Sequence, residues 1–391
     1  MKNLKRVLVL TNEFYPPIKP TSKMVYRVLS FISKTKACEF TVISFALDNK
    51  KLAINKTIEN IHIFNYSTIE KIGLKNSLLR LFYKIARKIY SFVFPRQFFE
   101  TGLLYKKAKK VAKQKHFDAI LAFSGYFAEH KAAYNVSKKT GIPLFLFYAD
   151  PFFYNVAFKR FNKKRLIEEE RKWIELAKTC FMPHNYLEKY LKEYSFYSDR
   201  LCECELAGFF DENELSIIRN AEPCSNLIVY AGSFFYNWRR PDMLIKIACL
   251  LNDYRFVVMG NLNYSQFGYK QIPNNIEIIK RLSGHDYLKM IGSARALFLE
   301  DNSFPEQIPY KAFEYISTGK TIVYSSINAS SSTSRFLSHY ENKVLVDQNN
   351  IGDCLAGLNK CNLINDNLDI YYYKFKTDII SDIIWERIKE I

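Results

Sequence analysis

No Asp-x-Asp pair occurs anywhere in the 391 residues, so the metal-dependent way of holding a sugar nucleotide lacks its ligands. Gly-x-Gly-x-x-Gly and Walker loops are missing too, which leaves a Rossmann dehydrogenase or a P-loop NTPase without sequence support. No apolar run reaches the ~18 residues that crossing a bilayer requires. The opening, MKNLKRVLVLT, holds only four apolar residues in a row before the polar Thr11-Asn12-Glu13. That is too short for a signal-peptide core, and it reads as a first strand. The six histidines show no metal spacing. Of the eight cysteines only Cys202 and Cys204 stand close together. Without a second pair at zinc-finger spacing they read as buried free thiols, which fits a chain kept in a reducing cytoplasm.

What is present is enough for a folded chain. Apolar residues make up 48% of the sequence, which rules out disorder, and 391 residues divide into two or three domains. The net charge of +18 is uneven. Residues 71–115 carry 13 Lys and Arg against one acid, Glu100. Within them Leu78, Leu81, Phe82, Ile85, Ile89, Phe92 and Val93 fall on one helical face, with Arg80, Lys84, Arg87, Lys88 and Ser91 opposite. Such a basic amphipathic helix suits an anionic membrane surface or an acidic ligand. The competing reading is a helix packed on its domain with solvated lysines. No nucleic-acid-binding motif accompanies the charge.

Along the chain, apolar strands alternate with helical segments. Val7–Thr11, Phe40–Phe45, Ile61–Tyr66, Phe117–Ser124, Leu144–Ala149, Thr179–Pro183 and Leu201–Ala207 read as strands of a first domain, residues 1–208. Gly208–Ser225 is polar and aperiodic, and is the linker candidate. The pattern restarts over residues 226–367 with strands Leu227–Gly232, Phe256–Gly260, Ile276–Arg281, Ala296–Glu300, Thr321–Ser325 and Val344–Asp347. Residues 368–391 are helical by pattern. Strands buried on both faces and separated by helices predict an α/β chain with two doubly wound parallel sheets.

The stretch Phe304–Ser325, FPEQIPYKAFEYISTGKTIVYS, carries most of the chemistry. Strand, loop, short helix and strand make a βαβ unit, with Pro309 at the helix start and Gly319 just past its end. The helix N-terminus then lies at the C-terminal edge of the sheet, where free N–H groups and the dipole would hold a phosphate without a metal. Glu306 and Glu314, eight residues apart, bracket the spot, and ionised carboxylates accept hydrogen bonds from ligand hydroxyls. Together these features predict a site for a sugar attached to a nucleoside diphosphate.

The segment P-Y-K-A-F-E-Y-I-S-T-G-K-T-I-V resembles the P-x-K-x-x-E-Y-x-A-x-G-K-P-V-V pattern of GT-B glycosyltransferases, glycosyltransferase family 4 above all. Three further segments are similar to that family. VLVLTNEFYPPIKP looks like its first strand and F-Y-P-P loop, with Pro20-Thr21 where the family has a glycine pair. SGYFAEHKAAYNVSKKTGIPLFLFYADPF resembles a subgroup pattern ending in R-D-P-W, matched at Asp150 and Pro151, with Ala149 in place of Arg and Phe152 in place of Trp. His130 matches a histidine of that subgroup. VYAGSFFYNWRRP resembles the strand, Gly-Ser turn and downstream cation of the second domain.

The resemblance implies a GT-B architecture: two Rossmann-like domains facing a cleft, with the C-terminal helix crossing back onto the first. It implies a donor domain second and an acceptor domain first, and transfer of a sugar from a nucleoside-diphosphate sugar to a glycan or lipid-linked glycan with retained configuration, in cell-surface polysaccharide synthesis. Donor contacts would come from Gly232, Ser233, Arg239, Leu282, Ile308, Pro309, Tyr310, Lys311 and Glu314. Glu314 would hold the ribose and Glu306 the sugar, and Arg239 would neutralise the leaving diphosphate. Glu306, Arg239 and Asp150 are the candidates for the reacting centre. No cofactor and no metal are expected. Arg80, Lys84, Arg87 and Lys88 would meet the membrane, placing the protein on the inner face of the cell membrane. Two rivals stand beside this reading: a sugar-nucleotide epimerase of the same fold, and a non-catalytic glycan- or membrane-binding protein.

Overall fold

A computed structural model describes residues 4–17, 19–45, 55–66, 81, 82, 85, 86, 88, 89, 101–124, 127–155, 158–236, 238–346, 351–361 and 369–391. The chain forms two compact units, Met1–Ala207 with Thr377–Ile391, and Gly208–Lys376.

In the first unit, β1 (Lys5–Thr11), β2 (Cys38–Phe45), β3 (Asn55–Ile58), β4 (Ile61–Tyr66), β5 (Ala119–Ser124), β6 (Leu144–Tyr148), β7 (Thr179–Met182) and β8 (Leu201–Glu203) form one sheet in the order β3-β4-β2-β1-β5-β6-β7-β8. All neighbours are parallel except β3 and β4. Every residue of β5 and β6 is buried, as strands covered on both faces require. The sequence gives no sign of β3, because Asn55-Lys56-Thr57-Ile58 has no apolar alternation. It is an edge strand turned back on β4 through Glu59, whose φ is +53°. The covering helices are α1 (Pro20–Thr35), α2 (Thr101–Gln114), α3 (Ala128–Thr140), α4 (Lys163–Leu176) and α5 (His184–Glu193). Within this layer burial pushes the Glu170 carboxyl up to about 8, against the pull of Tyr194 and Tyr190, whose phenols donate to it at 2.7 Å each. It is a neutral core acceptor near pH 7.

The second unit opens with α6 (Glu212–Arg219). Gly208–Ser225 is therefore not a linker. Asp211 and Glu214 make a reciprocal capping box, while Phe209, Phe210, Leu215 and Ile218 are buried. Charged caps and exposed faces hid a short helix that buries only two residues of its own, Leu215 and Ile218. Strands β9 (Leu227–Ala231), β10 (Arg255–Met259), β11 (Ile276–Ile279), β12 (Ala296–Glu300), β13 (Thr321–Ser325) and β14 (Lys343–Val346) follow, all parallel, in the order β11-β10-β9-β12-β13-β14. Helices α7 (Asp242–Leu250), α8 (Gly284–Ser293), α9 (Tyr310–Ser317), α10 (Ser332–Ser338) and α11 (Cys354–Lys360) connect or flank them. The strand order reverses between β9 and β12, the kind of switch point where open parallel sheets bind ligands beyond their strand ends.

The terminal segment is divided rather than continuous. Ile370–Phe375 is a 3-10 helix of the second unit, where Phe375 and Tyr372 pack on Phe209, Phe313 and Phe336. The helix α12 (Thr377–Lys389) belongs to the first unit and lies against α1, with Lys36 paired to Asp382 at 2.7 Å. No helix among the described residues is long and apolar enough to cross a membrane.

Helices α6 and α8 meet at Gly292, where an added Cβ would lie 2.4 Å from the Ile218 carbonyl oxygen and 2.6 Å from the Ala221 side chain. Backbone cannot yield as a flexible side chain can. Gly292→Ala should therefore destabilise the second unit by about 1–3 kcal/mol, the usual cost of overpacking. Denaturant unfolding followed by hydrogen exchange should show the loss first in residues 212–219; an unchanged midpoint would contradict this packing.

Candidate functional site

At the switch point β9 runs into Gly232, whose N–H donates to the Met259 carbonyl at 3.0 Å. Ser233 Oγ accepts from the Asn261 N–H at 3.2 Å, tying the turn after β9 to the turn after β10. Both turns are close-packed. A Cβ at Gly260 would fall 2.1 Å from the Gly232 carbonyl oxygen, and one at Gly232 would fall 2.3 Å from Lys311 Nζ. Glycine at 232 thus makes room for a side chain from another element rather than for an unusual backbone angle.

That side chain comes from the first turn of α9, whose N-cap, Pro309, supplies no side-chain acceptor for the helix N–H groups. Lys311 is about nine-tenths buried, and its ammonium lies 3.6 Å from the centroid of the Tyr230 ring. Nζ has no hydrogen-bond partner among the described residues. Burial holds the Lys311 pKa well below the usual lysine range; Arg239 adds to the depression, while Glu300 and Glu314 oppose it. Arg239 approaches from the turn after β9, donating to Tyr230 Oη at 3.2 Å and to Asn302 Oδ1. Its neighbour Arg240 turns outward and pairs with Asp242 at 2.6 Å, a helix-start carboxylate. Two cations, a glycine turn and a helix N-terminus therefore converge at one sheet edge. Such an arrangement has the chemistry to hold an oxyanion.

The carboxylates are placed differently from each other. Glu314, on the same helix, is buried and accepts from the Tyr287 hydroxyl of α8 at 2.7 Å. Glu306 is half-buried in the loop between β12 and α9. Ile308 and Tyr310 are half-buried and Pro309 is buried, so the loop enters the helix through its own apolar contacts. Leu282 is half-buried in the turn between β11 and α8. All these residues lie in the second unit; Asp150 lies in the first, two residues beyond β6. His130 is wholly buried, and burial pushes its imidazole down to about 3. Its Nε2 donates to the Phe147 carbonyl at 3.1 Å, so it is a neutral core group. Arg80, Lys84 and Arg87 lie outside the described residues, and Lys88 is exposed on a helical turn.

Sequence reading missed several side chains that build this edge. Tyr230 carries the Lys311 contact and receives Arg239, and Tyr315 Oη accepts from the Ala231 N–H at 2.8 Å. Asp301 accepts from Tyr324 Oη at 2.9 Å and Ser331 Oγ at 2.8 Å. Glu300 is buried at the end of β12, where Ser325 donates to Oε1 at 3.1 Å. Burial raises its pKa well above the carboxylate range, against the pull of Ser325 and Arg239. The run Glu300-Asp301-Asn302, three polar residues that close an otherwise apolar strand, was the available signal.

No family model matches this chain, and no curated protein matches it. Solved structures do. HepE of Anabaena, in complex with UDP and glucose, is 13% identical with a TM-score of 0.63 over 99% of this chain and 100% of that one. The α,α-trehalose 6-phosphate synthase of Burkholderia multivorans is 10% identical, with a TM-score of 0.62 over 99% and 98%. The UDP-GlcNAc 2-epimerase of Neisseria meningitidis, bound to UDP-GlcNAc, is 14% identical, with a TM-score of 0.59 over 99% and 100%. At such identities the likeness concerns architecture, and it establishes that this chain has the α/β fold of two Rossmann-like units shared by GT-B glycosyltransferases.

Proposed function

We propose that the protein is a glycosyltransferase that takes a sugar from a nucleoside-diphosphate donor held by its second unit. The observation that carries this reading is Lys311: a nearly buried ammonium without a hydrogen-bond partner among the described residues, set beside the Gly232 turn and Arg239 at a helix N-terminus. Burying a cation costs several kcal/mol unless it is paired. A diphosphate would supply that pairing without a metal. As the glycosidic bond breaks, the leaving diphosphate gains charge, and Lys311, Arg239 and the α9 N–H groups would stabilise it in a site that needs no reorganisation. Glu314, oriented by Tyr287, would accept from the ribose hydroxyls, and Glu306 from the sugar. A glycan or lipid-linked glycan acceptor, retention of configuration, and a role in cell-surface polysaccharide synthesis complete the proposal, on the motif resemblance described above.

The membrane reading has its own observation. Leu81, Phe82, Ile85 and Ile89 share one helical face, and they are 54%, 66%, 47% and 62% exposed. Apolar side chains on a strongly basic segment favour an anionic lipid surface, where apolar burial and charge attraction add.

Lys311→Met tests the diphosphate site. Removing a buried cation that has no hydrogen-bond partner among the described residues should leave the unliganded protein as stable or more stable, yet weaken nucleoside-diphosphate binding in EDTA tenfold or more, about 1.4 kcal/mol. For the wild type without ligand the linkage has a definite sign. Between the depressed Lys311 pKa and the ordinary value near 10.5 the unfolded chain binds more protons, so this group adds stability as pH rises through that window. Calorimetry of both proteins checks the pair of effects; unchanged affinity in the variant would remove Lys311 from the site.

The two carboxylates should separate by ligand. Glu314→Ala should weaken free nucleoside diphosphate, whereas Glu306→Ala should spare that affinity and reduce transfer. Equal losses would show that the division of roles is wrong. Incubation with donor alone, read for epimer by NMR, distinguishes the epimerase that the Neisseria likeness keeps in view.

For the membrane, Phe82→Ser with Ile89→Ser should abolish sedimentation with phosphatidylglycerol vesicles while leaving nucleotide affinity unchanged. Unaltered sedimentation would end the membrane reading alone.

A further inference from the structure

Beside the Lys311 site, the second unit holds a cavity of about 810 Å³ at the C-terminal ends of β12 and β13 and alongside β14, between the turn after β9 and helix α10. Its size is that of small-molecule sites. Of the residues assigned above to the nucleotide donor, only Arg239 lines it.

Its lining has a consistent chemistry. Arg239, Arg240, Lys246 and Lys343 face it against one ionised carboxylate, Asp242. Arg240 pairs with Asp242, and Lys343 donates to the carbonyls of Ser338 and Tyr340, whereas Lys246 stands on the exposed side of α7. Serine hydroxyls, including Ser325 and Ser326, line the strand-end wall, and Trp238, 38% exposed, forms part of another.

A second observation points to a ligand. Glu300 lines the cavity, is 6% exposed, and its Oε2 has no hydrogen-bond partner among the described residues. Since Ser325 donates to Oε1, a protonated Glu300 carries its hydrogen on Oε2 and needs an acceptor. Nothing in the mechanism proposed above uses this group.

We propose that this cavity binds a monophosphorylated sugar or polyol, with Lys246 on the phosphate, Glu300 donating to a ligand oxygen, and Trp238 against the carbon skeleton. Excess positive charge selects the phosphate, hydroxyls of either polarity suit a polyol, and an indole face suits its C–H surface. A nucleotide is not required, which separates this site from the one at Lys311.

The test uses the full-length protein titrated calorimetrically with glucose 6-phosphate, inorganic phosphate and glucose, each with and without saturating UDP. Glucose 6-phosphate should bind at least tenfold more tightly than phosphate or glucose, and its affinity should change less than threefold with UDP present. Lys246→Glu, a surface change that should leave the fold intact, should weaken it tenfold or more. Glu300→Gln, which keeps a neutral donor, should bind within threefold of wild type, and Glu300→Leu should lose at least tenfold. Absence of glucose 6-phosphate binding overturns the proposal, and so does full displacement by UDP, which would merge the cavity with the nucleotide site. Wild-type affinity in Lys246→Glu overturns it as well, even if Glu300→Leu fails to fold. Loss of UDP binding in Lys311→Met bears on the donor site and leaves this one standing.

Discussion

The arrangement of the second unit depends on a cation kept out of water. Lys311 lies against the Tyr230 ring and under the Gly232 turn, and most of what surrounds it is explained by that placement. Gly232 has no side chain because the ammonium occupies the space. Gly260 has none because the Gly232 carbonyl occupies the next. Tyr230 presents a π-face to one cation and its hydroxyl to another, Arg239, so a single phenol holds two like charges close together. Such an arrangement is electrostatically unfavourable by itself, and the proposed diphosphate would convert that cost into binding. On that proposal, stability and ligand affinity would be opposed at this position.

Most of the fold was legible because its strands are covered on both faces. Continuous apolar runs such as Ala119–Ser124 and Ala296–Glu300 have one physical explanation, and their alternation with helices fixes a parallel sheet. Legibility failed where burial is partial. The edge strand Asn55–Ile58 has little apolar surface, and α6 buries only one side of two turns between charged caps. The break between Phe375 and Thr377 was invisible for another reason: both flanking segments are apolar enough to be helical, but they serve different units.

The candidate site was legible along the chain and not across it. Local punctuation places Pro309 and Gly319 around α9, and Gly319 does adopt φ +71°. Glu306, Lys311 and Glu314 stand out because they sit on one short element. Tyr230, Tyr287, Asn302 and Glu300 come from other elements and meet only through the sheet order. A tyrosine in an apolar strand carries no mark distinguishing a cation's partner from a core ring. Glu300 is the exception, because a carboxyl at the end of a buried strand demands an explanation that its sequence position already poses.

Helix α12 has a consequence for how the molecule is made. The first unit is discontinuous: its sheet is encoded by the first 207 residues, but Ile380, Ile384 and Ile388, wholly buried in it, follow the entire second unit. A ribosome emitting this chain from its N-terminus completes the later unit first. Until then α1 must wait with the surface that α12 will cover still exposed. Order of synthesis and order of completion are therefore inverted, and the last helix acts as the closing step for the part of the protein that began to fold earliest.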